Sequence, residues 1–87
     1  MSTKPQLFDW DDLRIFHALV SSGSMSSAAR KLGIGQPTVS RRLEQLETRI
    51  GARLVTRGAE GVELTAIGER IWAQVQIMQS TAGDIER

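Results

Sequence analysis

Residues 24–51 read SMSSAARKLGIGQPTVSRRLEQLETRIG, and this stretch decides the fold. It opens with Ser24, a residue type that caps helices, followed by small and apolar residues at helical spacing: Met25, Ala28, Ala29 and Leu32. Gly33-Ile34-Gly35 predicts a tight turn, with a left-handed helix end at the first glycine and Ile34 packed into the corner between two helices. A helix of about residues 36–50 follows. Two short helices joined by a glycine turn predict a helix-turn-helix.

The segment that precedes this pair predicts one more helix, of about residues 10–21. Asp9 is placed to cap it, and two further aspartates stand in its first turn, where the helix dipole favours negative charge. Phe8 and Leu13 have the spacing of a hydrophobic staple. Residues 1–8 are expected to form a flexible lead-in.

After the pair, the apolar period changes from helical to alternating. Residues 53–56 and 62–65 predict two short strands joined by Gly58-Ala-Glu-Gly61, which is the signature of a hairpin. Thr65 is placed to cap a last helix toward the C-terminus. The predicted fold class is therefore mainly α with a small β-hairpin wing, a winged helix-turn-helix followed by a long C-terminal linker helix.

This pattern divides the chain into three parts. The flexible N-terminus spans residues 1–8, the winged helix-turn-helix domain residues 9–65, and the linker or dimerisation helix residues 66–87. No repeat or low-complexity segment interrupts them.

Composition narrows the class of protein. The 87 residues are 40% hydrophobic and 24% charged, an ordinary globular balance, and the lack of cysteine excludes disulfides and thiolate chemistry. No apolar stretch approaches the roughly 20 residues of a membrane helix, and the start lacks the features of a signal peptide. The expected compartment is the cytoplasm.

The net charge of +1 hides an uneven distribution along the chain. Residues 24–57 carry seven basic and two acidic residues, a net charge of +5, whereas the segments before and after carry −1 and −3. A local basic block suits a protein that binds phosphates in one orientation. The alternative is a set of solvated surface charges without a partner.

Side chains at the start of the third helix fit base recognition. In a helix-turn-helix the second helix lies in the major groove with its early residues at base edges. The outward residues here are Gln36, Pro37, Thr38, Ser40 and Arg41. Glutamine can bond adenine bidentately, arginine can bond guanine or phosphate, and the proline and threonine can contact a thymine methyl. The alternative is an ordinary helix start with polar, solvent-facing side chains.

The chain resembles the N-terminal DNA-binding domain of LysR-type transcriptional regulators over about residues 10–70. The resemblance is carried, in order, by GSMSSAARKL at 23–32, QPTVSR at 36–41, Leu46-Glu47, Ile50-Gly51, Leu54, Arg57 and LTAIG at 64–68. Two positions depart from the family pattern. Gly35 stands where a serine is usual, which weakens the helix cap by a few tenths of a kcal/mol, roughly. Val55 replaces a usual phenylalanine, so packing beneath the wing is expected to differ.

The resemblance implies a prokaryotic, sequence-specific regulator that binds double-stranded DNA. It implies that Gln36, Pro37, Ser40 and Arg41 read the groove, while the wing, about residues 53–65, lies on the backbone or minor groove. In the same way it implies phosphate contacts from Ser26 and Thr65, and an anchor for the wing from Arg57. LysR-type regulators continue into an effector-binding domain, so this chain is expected to be an N-terminal part, with any small-molecule effector bound by a C-terminal domain.

The last helix carries a second signal, a heptad stripe made of Ile71, Val75, Met78, Ala82 and Ile85. Pairing with the same helix of a second subunit would bury this stripe, and the family resemblance implies such a homodimer on two-fold related half-sites. Packing on the same domain is the alternative, but Leu64, Ile67 and Trp72 are expected to do that instead. Gly83 is expected to let the end of the helix fray.

An enzyme is nearly excluded, because no catalytic constellation, cofactor motif or metal-ligand spacing is present. His17, the single histidine, has apolar neighbours at helical spacing and is expected to be half-buried and structural. The N-terminal aspartates fit helix capping better than a calcium loop. The remaining alternatives are another winged-helix regulator, such as a ModE-like one, and a protein-interaction module, which would not explain the basic block.

Overall fold

The computed structural model describes residues 9–58 and 61–86 of the chain. The elements, in order, are α1 (Trp10–Ser22), α2 (Met25–Leu32), α3 (Gln36–Ile50), β1 (Val55–Gly58), β2 (Gly61–Leu64) and α4 (Ala66–Glu86). Four helices and one antiparallel hairpin confirm the predicted fold class. The predicted lead-in at residues 1–8, with Phe8 of the staple, lies outside the described residues.

Short polar side chains cap three of the four helices, as their positions in the sequence predict. The side-chain oxygens of Asp9, Ser24 and Thr65 each accept a hydrogen bond from the amide three residues further on, at 3.1, 3.2 and 2.9 Å. The N-cap residue of α3 is Gly35, which has no side chain to offer, so the first amides of this helix lack such a cap.

The turn between α2 and α3 differs from the prediction in one respect. Gly33 has φ +70°, the left-handed conformation expected of it, and the amide of Ile34 bonds back to the carbonyl of Ala29 at 3.1 Å. The prediction that Ile34 fills the corner is wrong, because its side chain is 37% exposed. Buried residues of the two helices, among them Ala28 and Val39, already occupy the interior at this point.

One hydrophobic core receives residues from every helix and from the entry to the wing: Leu13, Ile15, Phe16, Ala18, Leu19, Met25, Ala28, Ala29, Val39, Leu43, Leu46, Leu54, Val55 and Val75. Each large side chain among them contributes about 1.5–3 kcal/mol on burial. The apolar side of α3 lies in this core, with Val39, Leu43 and Leu46 buried and Ile50 packed at the edge. Val55 is buried too, although it is smaller than the phenylalanine usual at its position.

The hairpin is shifted relative to the predicted strands at 53–56 and 62–65. Val55 pairs with Leu64 at one end of the ladder, and Gly58 pairs with Gly61 at the other, so the two glycines belong to the strands. β1 begins later because the backbone just before it is hydrogen-bonded to α3 and to the start of α4 instead. The Val62 amide donates to the carbonyl of the α1–α2 turn at 3.1 Å, which ties the wing to the body.

α4 crosses the domain before it extends away. Trp72 meets Phe16 of α1 edge-on at 6.2 Å between ring centroids, and Val75 is 4% exposed. At Gly68 the helix passes so close to the Leu54 backbone that a Cβ would overlap the carbonyl oxygen. None of the helices within the described ranges combines the length and apolar character needed to span a bilayer.

Candidate nucleic-acid interface

The first turns of α3 present the residues expected to read bases. Gln36, Pro37 and Arg41 are exposed, whereas Thr38 and Ser40 are half-buried. Within residues 9–58 and 61–86, the Gln36 and Arg41 side chains make no hydrogen bond and no ion pair, so both are free for an external partner. The buried stripe of α3 anchors the opposite side of the helix.

Among the residues that the structure describes, one polar bond joins the wing to the start of α3. The guanidinium of Arg57, on β1, donates from Nη2 to Oγ of Ser40 at 2.7 Å. The sequence places these two residues 17 positions apart and predicts a DNA contact for each, and the structure brings them together. Arginine has no acceptor, so the Ser40 hydroxyl keeps its own proton for another partner.

Glu47 holds the backbone at the entry to the wing. The sequence alone does not predict this role. Its carboxylate accepts the backbone amides of Leu54 and Val55 at 2.7 and 3.4 Å. A bond from an amide to an ionised carboxylate is roughly twice as strong as a neutral one. An acidic residue one turn before a helix-ending glycine, with a buried strand immediately after, is the signal that could have suggested it.

Two residues predicted to touch phosphates have different surroundings. Ser26 lies exposed in the first turn of α2, 3.4 Å from the hydroxyl of the capping serine. Thr65 donates its hydroxyl proton to the carbonyl of Arg53 at 2.6 Å while its oxygen caps α4. The Thr65 hydroxyl therefore has no proton left for a phosphate unless it releases Arg53.

An acidic cluster on α1 engages two arginines of α3, behind the exposed start of that helix. Asp12 is buried, and its two carboxylate oxygens pair with Arg42 at 3.2 Å and with Arg49 at 3.1 Å. Asp11 pairs with Arg42 at 2.9 Å and with Arg14 at 3.0 Å. The hydrogen bond to Asp12 raises the pKa of Arg42 above its usual value.

This cluster corrects two expectations. Capping accounts for Asp9, but Asp12 serves as a buried ion-pair partner, a role that the sequence analysis missed because the arginines lie 30 and 37 residues away. Arg42 and Arg49 belong to the basic block, yet each of them forms an ion pair with a carboxylate of α1. No group of residues that could hold a metal ion occurs within the described ranges.

His17 is half-buried, as expected, and it packs on α4. Its ring stacks on Trp72 with centroids 5.2 Å apart and planes inclined by 27°. Burial, followed by the positive charge of Lys31, lowers the pKa of His17 below its ordinary value. This environment explains the histidine as a packing residue between two helices.

The heptad stripe of α4 is divided between the interior and the surface. Val75 lies in the core and Ile71 packs against it, whereas Met78 is 36% and Ile85 79% exposed. Ile67, expected to pack on its own domain together with Leu64 and Trp72, is instead 42% exposed. The expectation for Ile67 is wrong because the helix is rotated so that Val75 faces inward.

The geometry defines a winged helix-turn-helix: a short helix, a tight turn and a second helix with a free polar start, flanked by a hairpin. A sequence profile described as "Bacterial regulatory helix-turn-helix protein, lysR family" matches residues 10–69. The chain therefore belongs to the LysR family of bacterial regulatory helix-turn-helix proteins, and it corresponds to the DNA-binding domain of those regulators.

The sequence and the fold are similar to those of known proteins over nearly the whole chain. An HTH-type transcriptional regulator of Xanthomonas campestris pv. campestris (strain 8004) is 36% identical over 85 residues, which cover 90% of this chain and 25% of the relative. The crystal structure of the CbnR DNA-binding domain in complex with DNA is 30% identical, with a TM-score of 0.80 and 91% of each chain covered. The crystal structure of the BenM DNA-binding domain with benA site 1 DNA is 32% identical, with a TM-score of 0.80, covering 93% of this chain and 91% of that one.

The similar proteins also bear on the class of function. This chain spans about a quarter of the length of the first relatives it matches. Those relatives are named transcriptional regulators, and the matching profile is likewise one of bacterial regulatory helix-turn-helix proteins, which is the class that the sequence predicts. Membership of the LysR family also removes the alternative of a ModE-like regulator.

Proposed function

We propose that this chain binds specific sites in double-stranded DNA, with α3, residues 36–50, in the major groove. The wing, about residues 53–65, then lies on the backbone or in the minor groove. The observation that carries the proposal is the start of α3, where Gln36 and Arg41 are exposed and unpaired on a helix whose other side is fixed in the core. Both side chains have the chemistry to bond base edges directly. Two similar domains have been crystallised with DNA, which supports the same use here.

Individual contacts follow from the exposed groups. Gln36, Pro37, Thr38, Ser40 and Arg41 are proposed as the groove-reading residues. Arg57 is proposed to hold Ser40 while its remaining N–H groups contact a phosphate, since a guanidinium has five donors. Ser26 is proposed as a phosphate contact on the other side of the motif. For Thr65, the internal hydrogen bonds favour capping of α4 as the principal role, with any phosphate contact secondary.

Arg41→Ala tests the base-reading proposal. We expect a loss of about 1–3 kcal/mol on the duplex that the parent protein selects from a randomised pool, and a much smaller loss on the unselected pool. Arg70→Ala, which removes the same charge from an exposed position on α4, is the matched control and should change both affinities alike. Equal losses for Arg41→Ala on both DNAs would make Arg41 a phosphate contact.

A salt titration separates DNA binding from a protein-interaction role for the same fold. A DNA-binding domain that releases counterions loses affinity for random duplex steeply as salt rises. If the protein does not bind duplex DNA, or binds it with an affinity that is independent of salt, the proposed function as a whole is contradicted.

We further propose that α4 pairs two copies of the chain on two-fold related half-sites. The predicted stripe was Ile71, Val75, Met78, Ala82 and Ile85. The buried position of Val75 narrows the free part of it to Met78, Ala82 and Ile85, with Ile67 on the same side of the helix. A single recognition helix reads few base pairs, and a second, tethered domain gains from high effective concentration.

Met78→Glu combined with Ile85→Glu tests the pairing without touching the core. We expect a folded monomer whose affinity for a full site falls toward that for a half-site, measured by sedimentation and by binding to both duplexes. Gln76→Glu combined with Ser80→Glu is the control, because it adds the same charge at exposed positions away from the stripe. A parent that is monomeric at high concentration and prefers neither duplex would refute the pairing.

The full regulator is proposed to act in the cytoplasm as a transcription factor. Any small-molecule effector would bind a domain outside these 87 residues. The interface itself needs neither a cofactor nor a metal, because all the proposed contacts come from protein side chains and backbone.

A further inference from the structure

We propose that Asp12 is a specificity-positioning residue, which sets the rotation of α3 so that Arg41, and not its neighbour Arg42, faces the DNA. This inference rests on the proposed DNA-binding function. Asp12 lies on α1 and has no part in the exposed surface, since its side chain is 4% exposed. It therefore acts through α3 and makes no contact with DNA itself.

The geometry of the ion pairs is suited to hold a helix in one orientation. One carboxylate oxygen accepts from Nη2 of Arg42 at 3.2 Å, and the other accepts from Nη1 of Arg49 at 3.1 Å. The two arginines are seven residues apart, two helical turns or about 10 Å along α3. Because both guanidinium groups converge on one carboxylate from positions two turns apart, they restrain α3 at two places along its length, whereas a single contact would restrain it at one.

The choice between the two adjacent arginines makes this restraint matter for specificity. Successive residues on an α-helix point about 100° apart, so Arg41 and Arg42 cannot face the same way. Arg42 is drawn toward α1 by Asp12 and by Asp11, while Arg41 makes no ion pair within the described residues. A rotation of α3 that turned Arg42 outward would carry Arg41 and every groove-facing side chain away from their places.

Apolar packing alone defines that rotation less sharply. The stripe of Val39, Leu43 and Leu46 fixes which side of α3 is buried, but burial depends on area and has no direction, so it restrains smaller rotations of the helix less sharply. A buried carboxylate is costly to leave without its partners, so the network strongly disfavours orientations in which either arginine is released. A registry role of this kind is the best-attested use of buried polar groups in proteins.

The same network also neutralises positive charge on the domain, and that charge would otherwise attract DNA of any sequence. Arg42 and Arg49 account for two of the seven basic residues of the 24–57 block, and both are paired with α1. Loss of the Asp12 charge has two consequences of opposite sign. The loss loosens the restraint on α3, and it strengthens the general attraction of the domain for phosphate.

Asp12→Asn is the test, with Glu69→Gln as the charge control. Both variants remove one negative charge, but only Asp12 is buried between Arg42 and Arg49, whereas Glu69 is exposed on α4. Affinity is measured for the duplex that the parent selects from a randomised pool and for the pool itself, over a range of salt. We expect Asp12→Asn to lower the ratio of the two affinities about tenfold, the effect of a weakened base contact. Affinity for the pool should hold or rise, with a salt slope steeper by about 0.9.

The outcomes distinguish positioning from other roles. A variant that is merely destabilised would lose affinity for both DNAs together, and a pure charge effect would appear equally in Glu69→Gln; either result overturns the proposal. If Asp12→Asn does not fold, Arg49→Gln is the second variant, because it removes one of the two contacts at a half-exposed position. An unchanged affinity ratio in Arg49→Gln also overturns the proposal. A parent protein with no preference for any duplex would instead refute the proposed function.

Discussion

Gly68 offers a test of the packing between α4 and the wing, because the structure reverses the usual effect of replacing a helical glycine. Alanine in place of glycine within a helix stabilises by about 0.5–1 kcal/mol through lower backbone entropy in the unfolded chain. At position 68, however, a Cβ would overlap the carbonyl oxygen of Leu54 and lie 2.9 Å from its carbon. The clash involves backbone, which cannot rotate away as a side chain can.

The magnitude follows from what must move. Leu54 is fully buried, and its carbonyl accepts the Thr65 amide at 3.0 Å. Overpacking of this kind costs about 1–3 kcal/mol, and weakening that hydrogen bond adds about 0.5–1.5 kcal/mol. After the gain in helix propensity, Gly68→Ala should lower the free energy of unfolding by about 2 kcal/mol. In a domain of this size that corresponds to a melting temperature lower by about 8–16 °C.

Gly83→Ala is the matched control in the same helix. A Cβ at Gly83 meets no atom within 4 Å, so the variant should be more stable than the parent by about 0.5–1 kcal/mol. Urea unfolding followed by circular dichroism, at one protein concentration, gives both values. If Gly68→Ala proves as stable as Gly83→Ala, the close approach of α4 to Leu54 is wrong.

Three further predictions concern the interface and its support. Ser40→Ala and Arg57→Ala are measured singly and together for their affinity for the selected duplex. Their losses of binding free energy should be coupled by about 0.5–1.5 kcal/mol, because the two side chains are hydrogen-bonded. Strictly additive losses would mean that the contact does not persist on DNA. Glu47→Gln should cost about 1 kcal/mol of stability and speed hydrogen exchange at the two amides that open the wing, whereas unchanged exchange would exclude this anchoring role. Burial lowers the pKa of His17, so the folded state binds a proton less readily than the unfolded chain, whose histidine has the ordinary value of 6.5. Stability should therefore fall as the pH drops below about 6.5, and urea unfolding should show a smaller fall for His17→Gln; an equal fall would assign the effect to other groups.

Much of the fold follows from local sequence, and so does part of the interface. The caps at Asp9, Ser24 and Thr65 involve residues three positions apart, so the sequence displays both partners together. The buried stripe of α3 follows from a repeat of 3.6 residues, which also places Arg41 on the outer side, whereas Gln36 is exposed at the very start of the helix. The strand positions were less accurate, because hydrogen bonds to distant residues decide where a ladder begins.

Local sequence is enough to predict the order of the helices, their ends, the hairpin and the free start of α3. These depend on propensity, capping and periodicity, which act within a few residues. The tertiary structure alone decided which side of α4 is buried, with Val75 inside and Ile67 outside. It also decided that Asp12 holds two arginines of the basic block and that Arg57 reaches Ser40. The physical reason is that helix rotation and side-chain pairing are set by neighbours that lie far away in the chain and meet only after the helices have packed.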